Sequence, residues 1–189
     1  MPLPISRLLI PATLAVLLLL TRGHHFPTTL AMLPSASWAV FLLAGRYAPS
    51  SRVFALLLGE AALIDYFAIT AFGVSDFCVS PAYAALLPAY SALWLAGRWL
   101  RRHLQDATSP LSTVLPTLAA TLVGTLVCEL LASGSFYVFS GRFNDPTLVE
   151  FAARLLRYYP PMLLSAAFWL GLTNMLVNGI SALRRRATA

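Results

Sequence analysis

The sequence predicts an all-α membrane protein with six transmembrane helices and both termini on the cytoplasmic side. Three observations carry this. First, 59% of the 189 residues are apolar and only 11% are charged, with a mean hydropathy of +0.76. A soluble domain has roughly 25% charged residues. This chain has too few to clothe a water-facing surface, so lipid must cover much of it. Second, the apolar residues fall in runs close to the ~20 that a helix needs to cross a bilayer. Third, all 13 basic residues are arginines, and they cluster between those runs. This composition excludes a disordered chain, a nucleic-acid-binding arm and an ordinary soluble enzyme, and two cysteines exclude a disulfide-dense scaffold. The length fits a single membrane domain over residues 1–189.

The expected spans are 5–21, 29–44, 53–71, 82–99, 111–132 and 161–183. In the first, Arg7 precedes an apolar core, as in a signal peptide. The residues after that core, Thr21-Arg22-Gly23-His24-His25, contain no small-x-small cleavage site, so the run is expected to stay as a membrane helix. The second run is short and contains Pro34. Turn and charge signals separate the others: Gly23 to Pro27, Gly45 to Pro49, and Arg98 to Pro110. The longest gap, 133–160, holds Gly134, Gly141, Asn144 and Pro146. It ends in an amphipathic stretch, Leu148 to Tyr159, with Glu150, Arg154 and Arg157 mostly on one side, expected to lie in the interface as a short helix. Ala120 and Gly124 in the fifth run form a small-xxx-small pair suited to helix packing.

Six spans put both termini on one side. With that side inside, nine arginines are cytoplasmic: Arg7, Arg46, Arg52, Arg98, Arg101, Arg102, Arg184, Arg185 and Arg186. Four are outside: Arg22, Arg142, Arg154 and Arg157. The positive-inside rule favours this orientation. The outer loops are then 22–28, 72–81 and 133–160, and Arg184 to Arg186 form a cluster for lipid headgroups.

The loop after the third span, Phe72-Gly73-Val74-Ser75-Asp76-Phe77-Cys78-Val79-Ser80-Pro81, puts a thiol at the outer rim beside aromatics. A thiolate is a soft metal ligand and a nucleophile. Cys78 could equally be a small buried hydrophobe or half of a disulfide, for which Cys128 is the only intrachain candidate. Three acids fall inside apolar runs: Glu60, Asp65 and Glu129. Ionisable groups there are costly and point to function. Glu60 and Asp65 are five residues apart, about 140° around a helix. Asp65 is therefore expected to face an outer cavity while Glu60 makes an internal pair. Outer aromatics, among them Phe77, Tyr83 and Tyr137, serve either as an interfacial belt or as walls for a large flat ligand. By loop position, His25 and Arg142 join the candidate ligand-binding set of Cys78, Asp65, Tyr83, Phe77 and Tyr137. Adjacent His24 and His25 point in different directions and make no metal site alone, and His103 belongs to ordinary inner-loop chemistry. No Walker A loop, CxxC, HExxH or GxSxG is present in the sequence, so nothing in it supplies ATP hydrolysis.

Span count, size and the outer segment Ser75-Asp76-Phe77-Cys78, with Asp65 before it and Tyr83 after Pro81, resemble the substrate-binding S-components of energy-coupling-factor (ECF) vitamin transporters. Within them the chain is similar to the BtuM family, solitary S-components for vitamin B12 (cobalamin). The resemblance implies an S-component-like bundle in the bacterial inner membrane. It implies a corrinoid held base-off in the outer half, with Cys78 as the axial ligand of cobalt and Asp65 and Tyr83 lining the site. It also implies that ligation is coupled to reductive loss of cyanide from cyanocobalamin, since thiolate donation weakens the opposite axial bond. The AxxxA pattern with which conventional S-components dock is missing from the first span: Val16 follows Ala12 and Leu19 follows Ala15. That fits a protein working without a dedicated ATPase module. An S-component for another vitamin and a ligand-free membrane scaffold are the alternative expectations.

Overall fold

The computed structural model describes residues 4–22, 33–73, 75, 80–105 and 109–187. Six α-helices account for most of them: α1 (Pro4–Arg22), α2 (Ser37–Tyr47), α3 (Ser51–Phe72), α4 (Leu86–His103), α5 (Pro110–Phe139) and α6 (Leu148–Ala187). A 3-10 turn, Pro81–Ala85, leads into α4. There is no strand among the described residues. Among the described residues, three helices are long and apolar enough to cross a membrane, over Ser51–Phe72, Leu111–Phe139 and Leu148–Gly179. Leu8–Arg22 is a shorter apolar helix.

The core is built around α2. Every residue from Ser37 to Gly45 is buried. Phe41 stacks on Tyr90 of α4 at 4.2 Å between centroids and meets Phe54 of α3 edge-on at 5.8 Å. Two glycines bring α2 and α4 together. A Cβ on Gly45 would collide with the carbonyl of Trp94, and one on Gly97 with the carbonyl of Leu42. Close backbone approach through small residues is how apolar helices gain packing when lipid competes for their side chains. The expected Ala120/Gly124 pair works similarly: Gly124 abuts the Cβ of Ala96 in α4, and Ala120 is buried. Helices α1 and α3 pack on α2, and α6 packs on α5 and α2. The outer faces carry exposed apolar side chains, including Leu19, Leu56, Phe67, Leu118, Val123, Phe168 and Leu176. So much uncovered apolar surface suits lipid rather than water.

Three boundaries differ most from the sequence expectation, and α4 (Leu86–His103) lies four residues beyond its expected 82–99. Of the second run, expected to be helical over 29–44, residues 29–32 lie outside the described residues and α2 spans Ser37–Tyr47, about 16 Å at 1.5 Å per residue. Residues 33–36, containing Pro34, are non-helical. Their backbone groups are satisfied by side chains: Trp169 Nε1 donates to the Pro34 carbonyl at 2.9 Å, the Ser165 hydroxyl to the Ser35 carbonyl, and the Ala36 N–H to Thr21 Oγ1 at 3.1 Å. Irregular backbone at membrane depth is tolerated when it is buried in protein and paired in this way.

The gap expected over 133–160 shrinks to the residues between α5 and α6. Helix α5 runs on to Phe139, and α6 starts at Leu148. Thr147 opens α6 by accepting the Glu150 N–H on its hydroxyl at 3.2 Å. The expected interfacial helix over 148–159 is no separate element. It is continuous with the last span through Pro160 and Pro161. The Tyr159 hydroxyl, bonded to Thr125 Oγ1 at 3.1 Å and to the Leu122 carbonyl at 3.2 Å, clamps α6 to α5 just before the prolines. Neighbouring helices that re-satisfy polar groups are what let prolines persist inside membrane helices.

Candidate functional site

At the end of the bundle where α2 and α4 begin, a cavity of about 560 Å³ opens between α3, α5 and α6. That volume is in the range of small-molecule sites. One wall is a polar network. Arg22, the last residue of α1, donates Nε to Asp65 Oδ1 at 2.8 Å and Nη2 to Asp65 Oδ2 at 2.7 Å. Its remaining terminal nitrogen reaches Tyr90 Oη at 2.7 Å and Ser37 Oγ at 3.1 Å. Tyr83, on the 3-10 turn, donates its hydroxyl to Asp65 Oδ2 at 2.8 Å. The planar guanidinium matches a carboxylate bidentately. Helix α3 permits the arrangement because its buried stripe, Leu57, Ala61, Ile64 and Ala68, faces the bundle and leaves Asp65 at the edge of that stripe.

The opposite wall belongs to α5 and α6. Glu129 is 5% exposed, lines the cavity and accepts a hydrogen bond from Ser133 Oγ at 2.6 Å. Arg154, also lining, lies over the rings of Phe143 at 4.5 Å and Tyr158 at 5.5 Å. Phe136, Phe151 and Met162 supply apolar surface. Among the described residues the one salt bridge is Arg22–Asp65, so Glu129 and Arg154 keep donor and acceptor capacity for a ligand. The cavity thus offers two carboxylates, two guanidiniums and aromatic faces.

The candidates named from sequence do not all reach this cavity. Asp65 and Tyr83 both line it and touch each other. Tyr137 is absent from the lining. It is 5% exposed, donates to Glu150 Oε2 at 2.8 Å and accepts from the Thr147 N–H at 3.1 Å, so it braces the α5–α6 connection while its neighbour Phe136 faces the cavity. Arg142 is also absent from the lining and sits in that connection, its backbone N–H bonded to Ser140 Oγ at 3.2 Å. Cys78, Phe77 and His25 lie outside the described residues. Cys128 is a buried free thiol in α5. Glu60, expected to make an internal pair, has no hydrogen-bond or ionic partner among the described residues. It is partly buried and flanks the Leu57–Ala68 stripe on the side opposite Asp65. His103 bonds the Trp99 carbonyl through Nδ1 at 3.0 Å. No group of three or more metal-ligating side chains occurs among the described residues.

Arg22, Glu129 and Arg154 are the site residues that the sequence does not single out as ligand-facing. A lone carboxylate in an apolar run calls for a cation. That signal could have paired Asp65 with Arg22, the arginine that ends the first apolar run. Comparison of the chain with protein-family models and with characterised proteins finds no match.

Proposed function

We propose that this chain is a cobalamin-uptake protein of the bacterial inner membrane, crossing it six times with both termini cytoplasmic. The corrinoid enters the cavity base-off from the periplasmic side, and the Cys78 thiolate takes the vacated position on cobalt. The observation that supports this most is the convergence of Asp65 and Tyr83 on one cavity that Ser75 also lines. Ser75 lines the cavity and Cys78 is three residues further on, within about 11 Å of chain. The amide side chains of a corrin donate hydrogen bonds, and Asp65 and Glu129 are acceptors for them. A thiolate is a strong donor to cobalt. Loss of cyanide would require an added reductant, so the proposed activity is capture and transport rather than turnover. With no phosphate-binding loop in the sequence, energy must come from outside the chain.

The cavity volume favours a second reading. A corrinoid is bulkier than about 560 Å³ and would have to extend into the mouth. A smaller vitamin-like solute with N–H donors would fit between Glu129 and Asp65 entirely. Equilibrium dialysis of the purified chain against cyanocobalamin and against small vitamins separates the two. Uptake of corrinoid that is lost on filling the cavity with Ala132→Phe supports the first reading. Binding of a small vitamin alone supports the second.

A further inference from the structure

At the opposite end of the bundle, where α2 and α4 finish, a second cavity of about 320 Å³ is lined by Arg46, Tyr47, Arg101, Leu104 and Gln105. From Tyr90 to Arg101 along α4 is about 16 Å at 1.5 Å per residue, so this site is separate from the outer one. Arg46 is held in place. It lies over the Tyr47 ring at 4.8 Å and donates Nη1 to Asn174 Oδ1 at 3.1 Å. A guanidinium has five N–H donors, and this bond uses one. Arg101 is exposed and has no partner among the described residues. The Tyr47 hydroxyl is buried and has no hydrogen-bond partner among them either. No carboxylate among the described residues lines the cavity. The nearest in sequence, Asp106, lies outside the described residues.

Arginines near the ends of apolar helices often only satisfy terminal carbonyls or the positive-inside bias. Neither role accounts for a buried tyrosine hydroxyl left without a partner beside an oriented guanidinium. A buried hydroxyl without a partner is costly, and an oxyanion would satisfy it together with both arginines. Guanidinium forks and a phenol donor match a phosphate.

We propose that this inner-end cavity binds a phosphate group, and that its source is the headgroup of an anionic phospholipid. Basic pockets between membrane helices on the cytoplasmic side are built for such headgroups. The site is independent of what the outer cavity carries.

The test is thermal unfolding of the full chain in neutral detergent, titrated with phosphatidylglycerol, with phosphatidylcholine, and with glycerol 3-phosphate. Phosphatidylglycerol should raise the melting temperature of the wild type, and phosphatidylcholine should raise it far less. Arg101→Gln should weaken the phosphatidylglycerol response by roughly fivefold in apparent affinity, and Tyr47→Phe should weaken it too. Replacing Arg184, Arg185 and Arg186 with Gln should leave the response in place. If glycerol 3-phosphate alone saturates the shift and blocks phosphatidylglycerol, the phosphate site stands and its source is a soluble anion. Equal responses to phosphatidylglycerol in wild type, Arg101→Gln and Tyr47→Phe would overturn the proposal. So would no response to either phosphate source. Because Arg101 is exposed and unpartnered among the described residues, its variant keeps the fold, and a lost response is then a lost site.

Discussion

Arg22 and Asp65, 43 residues apart, are joined by two parallel hydrogen bonds of 2.8 and 2.7 Å that tie the end of α1 to α3. Arg22 is 12% exposed and Asp65 27%. The pair therefore sits where it can hold the bundle together and still meet a ligand. Removing one partner of a well-shielded pair leaves an uncompensated charge, which costs about 3 kcal/mol or somewhat less here because Asp65 is partly open to solvent. Asp65→Asn and Arg22→Gln should each lower stability measurably in detergent unfolding. The double variant should lose clearly less than the sum of the two. Strict additivity would mean that the two residues are not coupled.

The α2–α4 seam gives a sharper structural prediction. Gly45→Ala and Gly97→Ala push a methyl group into a facing backbone carbonyl, and each should cost about 1–3 kcal/mol. Gly59 and Gly171 have open space around them, so alanine there should be neutral or stabilising by up to about 1 kcal/mol. Melting temperatures of the four single variants check the contrast. Equal effects in all four would show that the seam is not packed through its glycines.

Much of the Asp65 cavity is legible in the sequence because isolated charges in apolar runs are rare and costly. Asp65 stands out for that reason, and Tyr83 as an aromatic shortly after Cys78 and Pro81. Arg22 does not, because an arginine at the end of a span reads as an ordinary flanking charge. Only its reach back to Asp65, Tyr90 and Ser37 reveals its role. The helix ends near prolines escape the sequence for a related reason. The described residues around Pro34 are non-helical, whereas α6 runs through Pro160 and Pro161, and the difference between them is tertiary. Trp169, Ser165 and Thr21 bond the irregular backbone before α2, and Tyr159 locks α6 onto α5. No local pattern announces those partners.

Tyr137 and Phe136 should respond differently to substitution. Tyr137→Phe loses a hydroxyl that bridges Glu150 and the Thr147 N–H, and should cost about 1–2 kcal/mol of stability without changing ligand affinity. Phe136→Ala opens the cavity wall and should weaken binding of any ligand held there. A loss of affinity in Tyr137→Phe at unchanged stability would restore Tyr137 to the site.

Glu60 carries the opposite prediction from Asp65. It has no partner among the described residues and lies in a helix apolar enough to cross a membrane. A carboxylate in that setting is unfavourable. Glu60→Leu should leave stability unchanged or raise it, read as the melting temperature in detergent. A marked loss would show that Glu60 has a partner after all.

The most direct test of corrinoid capture is the absorption spectrum of the purified chain after incubation with cyanocobalamin, wild type beside Cys78→Ala. Cobalt–sulfur ligation should shift the corrin spectrum in the wild type, and the shift should be absent in the variant. The same bound spectrum in both, or no corrinoid retained by the wild type, would contradict capture through Cys78.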